Sequence, residues 1–344
     1  MTPLRSGIVW AILGPILVLG FIIGRYTVAT SSQLGVSVVR ERDPRYKYIQ
    51  KLLGCSLDST RAASLQKLHD QVSDIIAQEK RAGLTNAGFY FRSVNTGAWT
   101  GVNEDARFTP ASLLKVDVMI AAYKLAESDP GFLQRPVKFA IGRDLNQEEV
   151  FKPVSQLKAG STYTIGDLIT AMIVHSDNNA MAVLDAMIGP ATLQKTFDDL
   201  QLRIHQEDGA QKSTSPQSYS LTLRVLYNAT YLSREMSNQA LALLSRADFN
   251  YGIKQAIPSS IEVAEKFGER SVIDSRSGRV FSRELHDCGL VYYPDHPYLL
   301  CVMTEGPDFN ELLATIREIS AAAYNFVDGT PFRTSCATQS LPEH

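Results

Sequence analysis

The chain has 344 residues, and its 34 Lys and Arg residues nearly balance its 36 Asp and Glu residues, which gives a formal net charge of -2. A nucleic-acid-binding domain presents a strongly basic face or stripe. This composition therefore predicts no nucleic-acid partner. The hydrophobic fraction of 44% is enough for the core of one large domain with appendages.

The first feature along the chain is an uncharged, mostly apolar run at residues 7–24. Its length is at the lower limit for a helix that spans a bilayer. Trp10 and Tyr26 lie near its two ends, as aromatic residues often do at the membrane interface. We predict an N-terminal transmembrane helix at residues 7–24. The alternative is a cleaved signal peptide, because the small residues Thr27 and Ala29 suit a cleavage site.

Residues 25–59 are polar and charged, and we predict that they form a membrane-proximal linker. Arg25, Arg40 and Arg42 follow the apolar run, whereas only Arg5 precedes it. By the positive-inside rule alone, these charges would predict that the following domain lies on the cytoplasmic side. The chemistry that the residues of this domain imply belongs outside the cytoplasmic membrane. We therefore predict a single-pass protein of the cell membrane with an extracytoplasmic catalytic domain.

Apolar periodicity divides residues 60–328 into helices and strands. Helices are predicted between residue 60 and Gly83, after Pro110, after Thr164, after Asn179 and from Asp308 onward. Strands are predicted as a hairpin within Ala87–Val102 and then at Ile261–Lys266, Gly289–Tyr293 and Leu299–Thr304. This order predicts an α+β fold. A five-stranded antiparallel sheet is flanked by the N- and C-terminal helices, an all-helical subdomain is inserted in the middle, and residues 329–344 form a tail.

The four cysteines, Cys55, Cys288, Cys301 and Cys336, form no Cys-x-x-Cys pair and have no His at metal-ligand spacing, so we expect no zinc site. Cys288 and Cys301 could face each other across the predicted hairpin and form a disulfide. The interpretation that we favour is that the cysteines are small, buried apolar residues.

Ser112 is the candidate nucleophile. It begins an almost uniformly apolar segment, Leu113–Leu125, which predicts a buried helix. The unpaired N–H groups and the dipole at a helix start favour negative charge on the serine oxygen. Lys115 lies one turn along on the same face and could act as a base if burial lowers the pKa of its ammonium. The alternative is a helix cap followed by a surface lysine.

A second motif, Ser176-Asp177-Asn178, lies between two predicted helices, in a loop that can project into a cleft. Ser176 could relay a proton between Lys115 and a leaving nitrogen, and the Asn178 amide could orient a substrate carbonyl or Lys115. The alternative is a turn in which Asp177 caps the next helix.

A third motif, Lys266-Phe267-Gly268, ends a predicted strand. Lys266 offers a cation for a substrate carboxylate, and Gly268 permits close backbone approach. Arg276-Ser277-Gly278 is a rival for this position, although Lys266 closes the better strand pattern.

In this order the three motifs resemble the Ser-x-x-Lys, Ser-Asp-Asn and Lys-Thr-Gly elements of class A β-lactamases and penicillin-binding proteins. The resemblance covers about residues 60–328. It implies that Ser112 is the acylated nucleophile, that Lys115 and Ser176 transfer protons, and that Lys266 anchors a substrate carboxylate. It also implies that the backbone N–H groups of Ser112 and Glu269 form the oxyanion hole. No metal or organic cofactor is expected.

The chain departs from the family pattern in two places. Phe267 stands where the family usually has a hydroxyl residue that helps to hold the substrate carboxylate. Between Leu202 and Pro216 the chain lacks the Glu-x-x-Leu-Asn element whose glutamate activates the deacylating water, and Glu207 and Asp208 are the nearby carboxylates. Acylation is therefore better supported than rapid hydrolysis.

The resemblance implies a membrane-anchored serine hydrolase that forms an acyl-enzyme with β-lactams or with related D-alanyl peptides of peptidoglycan. One alternative is a slow-deacylating penicillin-binding protein or D,D-peptidase. Another is a sensor that binds cell-wall fragments without hydrolysing them.

Overall fold

The computed structural model describes residues 47–48, 61–200, 213–273 and 278–329. The predicted transmembrane helix, residues 7–24, lies outside these ranges, as do most of the linker and the tail beyond residue 329. None of the helices in the described ranges combines the length and the apolar composition that a membrane crossing requires.

The predicted helices and strands appear in the predicted order within the described ranges. In the same ranges the structure adds helices between residues 190 and 256, two three-residue strands, and 3-10 helices at Ala111–Leu113 and Phe132–Gln134. The α-helices are α1 (Arg61–Ala82), α2 (Leu114–Ser128), α3 (Ile165–Val174), α4 (Asn178–Ile188), α5 (Pro190–Asp199), α6 (Pro216–Asn228), α7 (Arg234–Ser245), α8 (Ile253–Ala256) and α9 (Phe309–Gly329). The strands are β1 (Asn86–Ser93), β2 (Trp99–Val102), β3 (Pro136–Lys138), β4 (Thr162–Thr164), β5 (Val263–Ile273), β6 (Val280–Val291) and β7 (Tyr298–Gly306).

Five strands form one antiparallel sheet in the order β2-β1-β7-β6-β5. This confirms the predicted α+β fold with a five-stranded sheet. β5 and β6 are longer than predicted, because β5 continues past Lys266 to Ile273 and β6 already begins at Val280. Half of the added residues, Arg270 and Ser271 among them, are polar, and they do not alternate regularly with apolar ones, so the sequence pattern ends before the strand does.

The two faces of the sheet bury separate hydrophobic cores. One face packs against α1 and α9, and Val72, Phe89 and Ile316 are fully buried between them. The other face packs against the inserted helices, where Met119, Ile169 and Leu290 are fully buried. α2 has buried residues on every side, as expected of a helix that is apolar nearly all round.

The inserted subdomain is not all-helical, which corrects the prediction. β3 and β4 form a two-stranded antiparallel sheet in which Val137 lies opposite Tyr163. Each strand has three residues, and a pattern of period two cannot be recognised over so short a stretch.

Cys288 and Cys301 form a disulfide, so the favoured interpretation of unpaired buried cysteines was wrong for this pair. The register of β6 and β7 places the two residues directly opposite each other, and both are fully buried. The sequence identified the hairpin but left its register open, and the register determines whether the two sulfurs meet. Cys55 and Cys336 lie outside the described residues.

Lys47 and Tyr48, within the predicted linker, lie against the catalytic domain. The Tyr48 N–H donates to Asn238 Oδ1 at 2.9 Å, its hydroxyl donates to Glu262, and the Tyr292 hydroxyl donates to the Tyr48 carbonyl at 3.0 Å. This part of the linker is therefore bound to the domain.

Candidate active site

Ser112 lies in the 3-10 helix Ala111–Leu113, which continues directly into α2. The Leu113 N–H donates to the Pro110 carbonyl at 3.0 Å and closes the turn. Ala111 has a φ of 49°, a left-handed conformation that costs free energy for a residue with a Cβ. The half-buried Ser112 thus begins the helix as predicted, after a strained residue.

The residues that precede Ser112 are fixed to the sheet. His286 Nε2 lies 2.8 Å from the Thr109 carbonyl oxygen, and because that oxygen can only accept, Nε2 carries the proton. The Thr109 N–H donates to Glu284 at 3.1 Å, and its hydroxyl accepts from Arg270 at 2.7 Å. β5 and β6 therefore hold the entry to the Ser112 turn.

Lys115 is fully buried, so the alternative of a surface lysine is wrong. Its ammonium donates to the Ser176 carbonyl at 2.6 Å, to Ser176 Oγ at 3.1 Å and to Asn178 Oδ1 at 2.6 Å. Burial lowers the pKa of Lys115 to about 8, although the carboxylates of Glu149, Asp177 and Glu269 act in the opposite direction. A substantial fraction of the amine is uncharged at mildly alkaline pH.

The Ser112 hydroxyl makes no hydrogen bond with Lys115 or with any other described residue. The three donors of Lys115 are directed at Ser176 and Asn178 instead. In unliganded enzymes catalytic hydrogen bonds are often long and tighten only when substrate binds. The structure thus brings Lys115, Ser176 and Asn178 into direct contact, while Ser112 lies one turn before Lys115 and its hydroxyl has no hydrogen-bond partner among the described residues.

Ser176 connects the two lysines of the site. Its φ of 55° is again left-handed, and its Oγ lies 3.1 Å from Lys115 Nζ and 2.9 Å from Lys266 Nζ. Burial and the nearby Lys115 lower the pKa of Lys266 well below its usual range. Because both ammonium groups donate to the Ser176 oxygen, its own proton is free to be donated elsewhere.

Asp177 caps α4, so the capping interpretation of the second motif is correct as well. Its carboxylate accepts from the backbone N–H groups of Asn179 and Ala180. The Asn178 side chain faces the site, where its Oδ1 binds Lys115 and its Nδ2 donates to Glu149 Oε1 at 2.6 Å. The same turn therefore caps a helix and contributes to the site.

Gly268 allows β5 to approach the Ser112 turn. A Cβ at this position would lie 2.9 Å from the Pro110 carbonyl oxygen and 3.3 Å from the Leu113 nitrogen, which are both backbone atoms. Only glycine permits this spacing. The third motif therefore lies against the turn that carries Ser112, as the prediction for Gly268 requires.

The next strand residues, Phe267 and Glu269, point to the opposite side from Lys266 and Gly268. The Phe267 ring stacks on Phe249 with a centroid separation of 4.1 Å and is buried. The hydroxyl that the family usually has at this position is thus replaced by a side chain that belongs to the aromatic core.

Glu269 was predicted only for its backbone N–H, but its side chain also contributes. Its carboxyl accepts from the Val150 N–H at 3.0 Å and from the Phe151 N–H at 2.7 Å. Burial, and then the negative charge of Glu149, raise the pKa of Glu269 to about 8. Glu149 itself was not predicted from the sequence. Its only sequence signal is a polar, acidic stretch between two short strands, which is equally typical of a solvated loop.

Several candidate residues lie outside the described ranges. These are Arg276 and Ser277 of the rival third motif and the acidic residues Glu207 and Asp208. Lys266, the favoured third-motif residue, lies in the described part and contacts Ser176.

Comparison with known proteins identifies the family. The model of the β-lactamase enzyme family matches residues 67–327. The chain belongs to this family. β-Lactamase CTX-M-97 of Escherichia coli is 24% identical over 228 residues, which are 65% of this chain and 76% of that protein. β-Lactamase CTX-M-25 of Escherichia coli is 22% identical over 263 residues, which are 75% and 88% of the two chains.

Solved structures share the fold of this class A β-lactamase-like serine hydrolase. PBP-A superposes with a TM-score of 0.65 at 22% identity, over 77% of this chain and 97% of its own. A β-lactamase from Sphaerobacter thermophilus gives a TM-score of 0.63 at 21% identity, over 76% and 98%. A mutant of PBP-A in an acyl-enzyme complex with penicillin G also gives a TM-score of 0.65 at 22% identity, over 77% and 98%.

Proposed function

We propose that the protein forms an acyl-enzyme through Ser112 with β-lactams or with related D-alanyl peptides of the cell wall. One observation carries the proposal. The Ser176 oxygen lies between Lys115 Nζ and Lys266 Nζ, at 3.1 and 2.9 Å, and both lysines are buried. Desolvated amines of this kind are able to exchange protons near neutral pH.

Acylation begins when the uncharged Lys115 amine takes the proton of the Ser112 hydroxyl. The Ser112 oxygen then forms a bond with the carbonyl carbon of the substrate amide, and the backbone N–H groups of Ser112 and Glu269 hold the oxyanion. As the C–N bond breaks, the proton passes from Lys115 through the Ser176 hydroxyl to the leaving nitrogen. The products of this step are the Ser112 ester, an amine and uncharged Lys115.

Hydrolysis of the ester requires an activated water, for which the sequence offers no Glu-x-x-Leu-Asn element. This absence and the likeness to PBP-A support a second candidate, a slow-deacylating penicillin-binding protein or D,D-peptidase. A sensor without turnover would not need the buried contacts of Lys115 with Ser176.

Mass spectrometry tests the proposal. The purified protein is incubated with penicillin G and with its uncharged carboxamide, each at millimolar concentration, and the adduct is mapped by peptide digestion. We expect an adduct on Ser112 with at least one of them, and none in Ser112→Ala. Its lifetime distinguishes the two enzymes, since loss within seconds indicates a β-lactamase and persistence for hours indicates a penicillin-binding protein. A protein that forms no adduct with either reagent and hydrolyses neither of them contradicts the proposal.

The apolar run at residues 7–24 supports a proposed location in the cell membrane, with the catalytic domain on the extracytoplasmic side. Deletion of residues 2–24 should move the protein from the membrane fraction to the soluble fraction. A full-length chain that is already soluble without detergent would refute the anchor.

A further inference from the structure

The segment 144–151, here called the strap, bridges the two walls of the candidate active site. On the helical wall, Asn146 Oδ1 accepts from the Asn178 N–H at 2.8 Å. Glu149 Oε1 accepts from Asn178 Nδ2 at 2.6 Å. The strap is therefore hydrogen-bonded to the residue whose other side-chain atom binds Lys115.

On the sheet wall, the strap is fixed to β5. The backbone N–H groups of Val150 and Phe151 donate to Glu269, and the Phe151 ring lies edge-on to Phe267 with a centroid separation of 6.0 Å. Glu149 lies beside Glu269, close enough to influence the pKa of its carboxyl. Two carboxyl groups thus meet where β5 and the strap approach each other.

The cation that should attract a substrate carboxylate is poorly available in this site. Lys266 is 1% exposed, and its ammonium donates to Ser176 Oγ and to the Phe267 carbonyl at 3.0 Å. Burial favours its uncharged form. Phe267 brings no hydroxyl to assist it. The site therefore presents a buried lysine without an assisting hydroxyl and places two acidic side chains nearby.

We propose that Glu149 and Glu269 make the site select acyl donors whose leaving-group side is uncharged or cationic, in place of donors that carry a carboxylate there. This inference rests on the proposed acylation of Ser112. A substrate carboxylate next to the scissile amide would face the acidic pair. Burying a like charge there is unfavourable, so the site would select against such substrates by electrostatic repulsion. An amide or an amine at the same place can donate a hydrogen bond to either carboxyl.

The size of the effect follows from Coulomb's law. Two unit charges about 5 Å apart in a site of effective dielectric constant about 20 repel enough to weaken binding on the order of a hundredfold. Solvent reaches the half-buried Glu149 and screens the repulsion, so we expect a preference of about tenfold for the uncharged donor.

The test compares the second-order rates at which Ser112 of the full chain is acylated by penicillin G and by its carboxamide, which differ in one charge. The wild type should react about tenfold faster with the carboxamide. Glu269→Gln keeps one of the two oxygens that accept from Val150 and Phe151. Burial and Glu149 raise the pKa of Glu269 to about 8, so the two carboxyl groups share about one negative charge at neutral pH. The double variant Glu149→Gln/Glu269→Gln removes that charge and should bring the ratio of the two rates close to one.

Glu148→Gln is the matched control, because Glu148 belongs to the same strap but is 77% exposed and pairs with Arg143. In Glu148→Gln, the ratio of the acylation rates with the carboxamide and with penicillin G should equal that of the wild type. Equal rates in the wild type, or a ratio that persists in the double variant, refute the selectivity and leave the acyl-enzyme proposal intact. A complete lack of both Ser112 adduct and hydrolysis with the two reagents overturns the acyl-enzyme proposal, and this inference with it.

Discussion

The substitution Gly268→Ala tests whether β5 supports the turn that carries Ser112. The new Cβ would lie 2.9 Å from the Pro110 carbonyl oxygen and 3.3 Å from the Leu113 nitrogen. Both are backbone atoms, so relief requires the strand and the turn to separate. Overpacking of this kind costs about 1–3 kcal/mol. Replacing glycine also reduces the entropy of the unfolded chain, which offsets about 0.4–1 kcal/mol.

The net loss of about 1–2 kcal/mol should lower the melting temperature by about 2–8 °C in a domain of this size. The separation of strand and turn should move Ser112 relative to its partners by tenths of an ångström. Because a misplacement of a catalytic group by about 1 Å slows a reaction about a hundredfold, we expect acylation to be about tenfold slower. Gly142→Ala is the control, because its Cβ would meet no atom within 4 Å. Calorimetry and acylation rates measure both variants. If Gly268→Ala and Gly142→Ala behave alike in both assays, the supporting role of β5 is refuted.

Two further predictions concern stability. Reduction of Cys288–Cys301, which are separated by 13 residues, should lower the free energy of unfolding by about 3 kcal/mol, and equal melting temperatures for the oxidised and reduced protein would contradict this. Burial raises the pKa of Asp287 to about 7, from an unfolded value of 3.8. Between these two pH values the native state binds more protons than the unfolded state, so the stability of the protein falls as the pH rises through this window. Urea unfolding at pH 4 and at pH 7 measures this decline in the free energy of unfolding. Asp287→Asn should reduce the decline by up to about 4 kcal/mol. An unchanged decline would show that other groups cause it.

Local sequence patterns predicted the parts of the fold that depend on neighbouring residues. The apolar periodicity after Thr164 predicted α3, and the helical spacing of Ser112 and Lys115 predicted the helical turn that leads into α2. Motif order then predicted that Ser176 meets Lys115.

The parts that were missed depend on contacts between distant segments. Val150 and Glu269 are 119 residues apart in the chain, and Glu149 lies 29 residues before Asn178. Periodicity carries no information about such pairs, because it reports only which face of its own element a residue occupies. The pairing of Cys288 with Cys301 depends in the same way on strand register.

The pH dependence of Ser112 acylation tests most directly whether a buried amine activates the serine. Because burial lowers the pKa of Lys115 to about 8, the rate should rise with pH and level off above an apparent pKa near 8. Glu269 titrates in the same range, so the same profile should persist in Glu269→Gln. Lys115→Ala should react at least about a hundredfold more slowly. A rate that does not change between pH 6 and 10, or a Lys115→Ala protein that is acylated as fast as the wild type, would contradict this account.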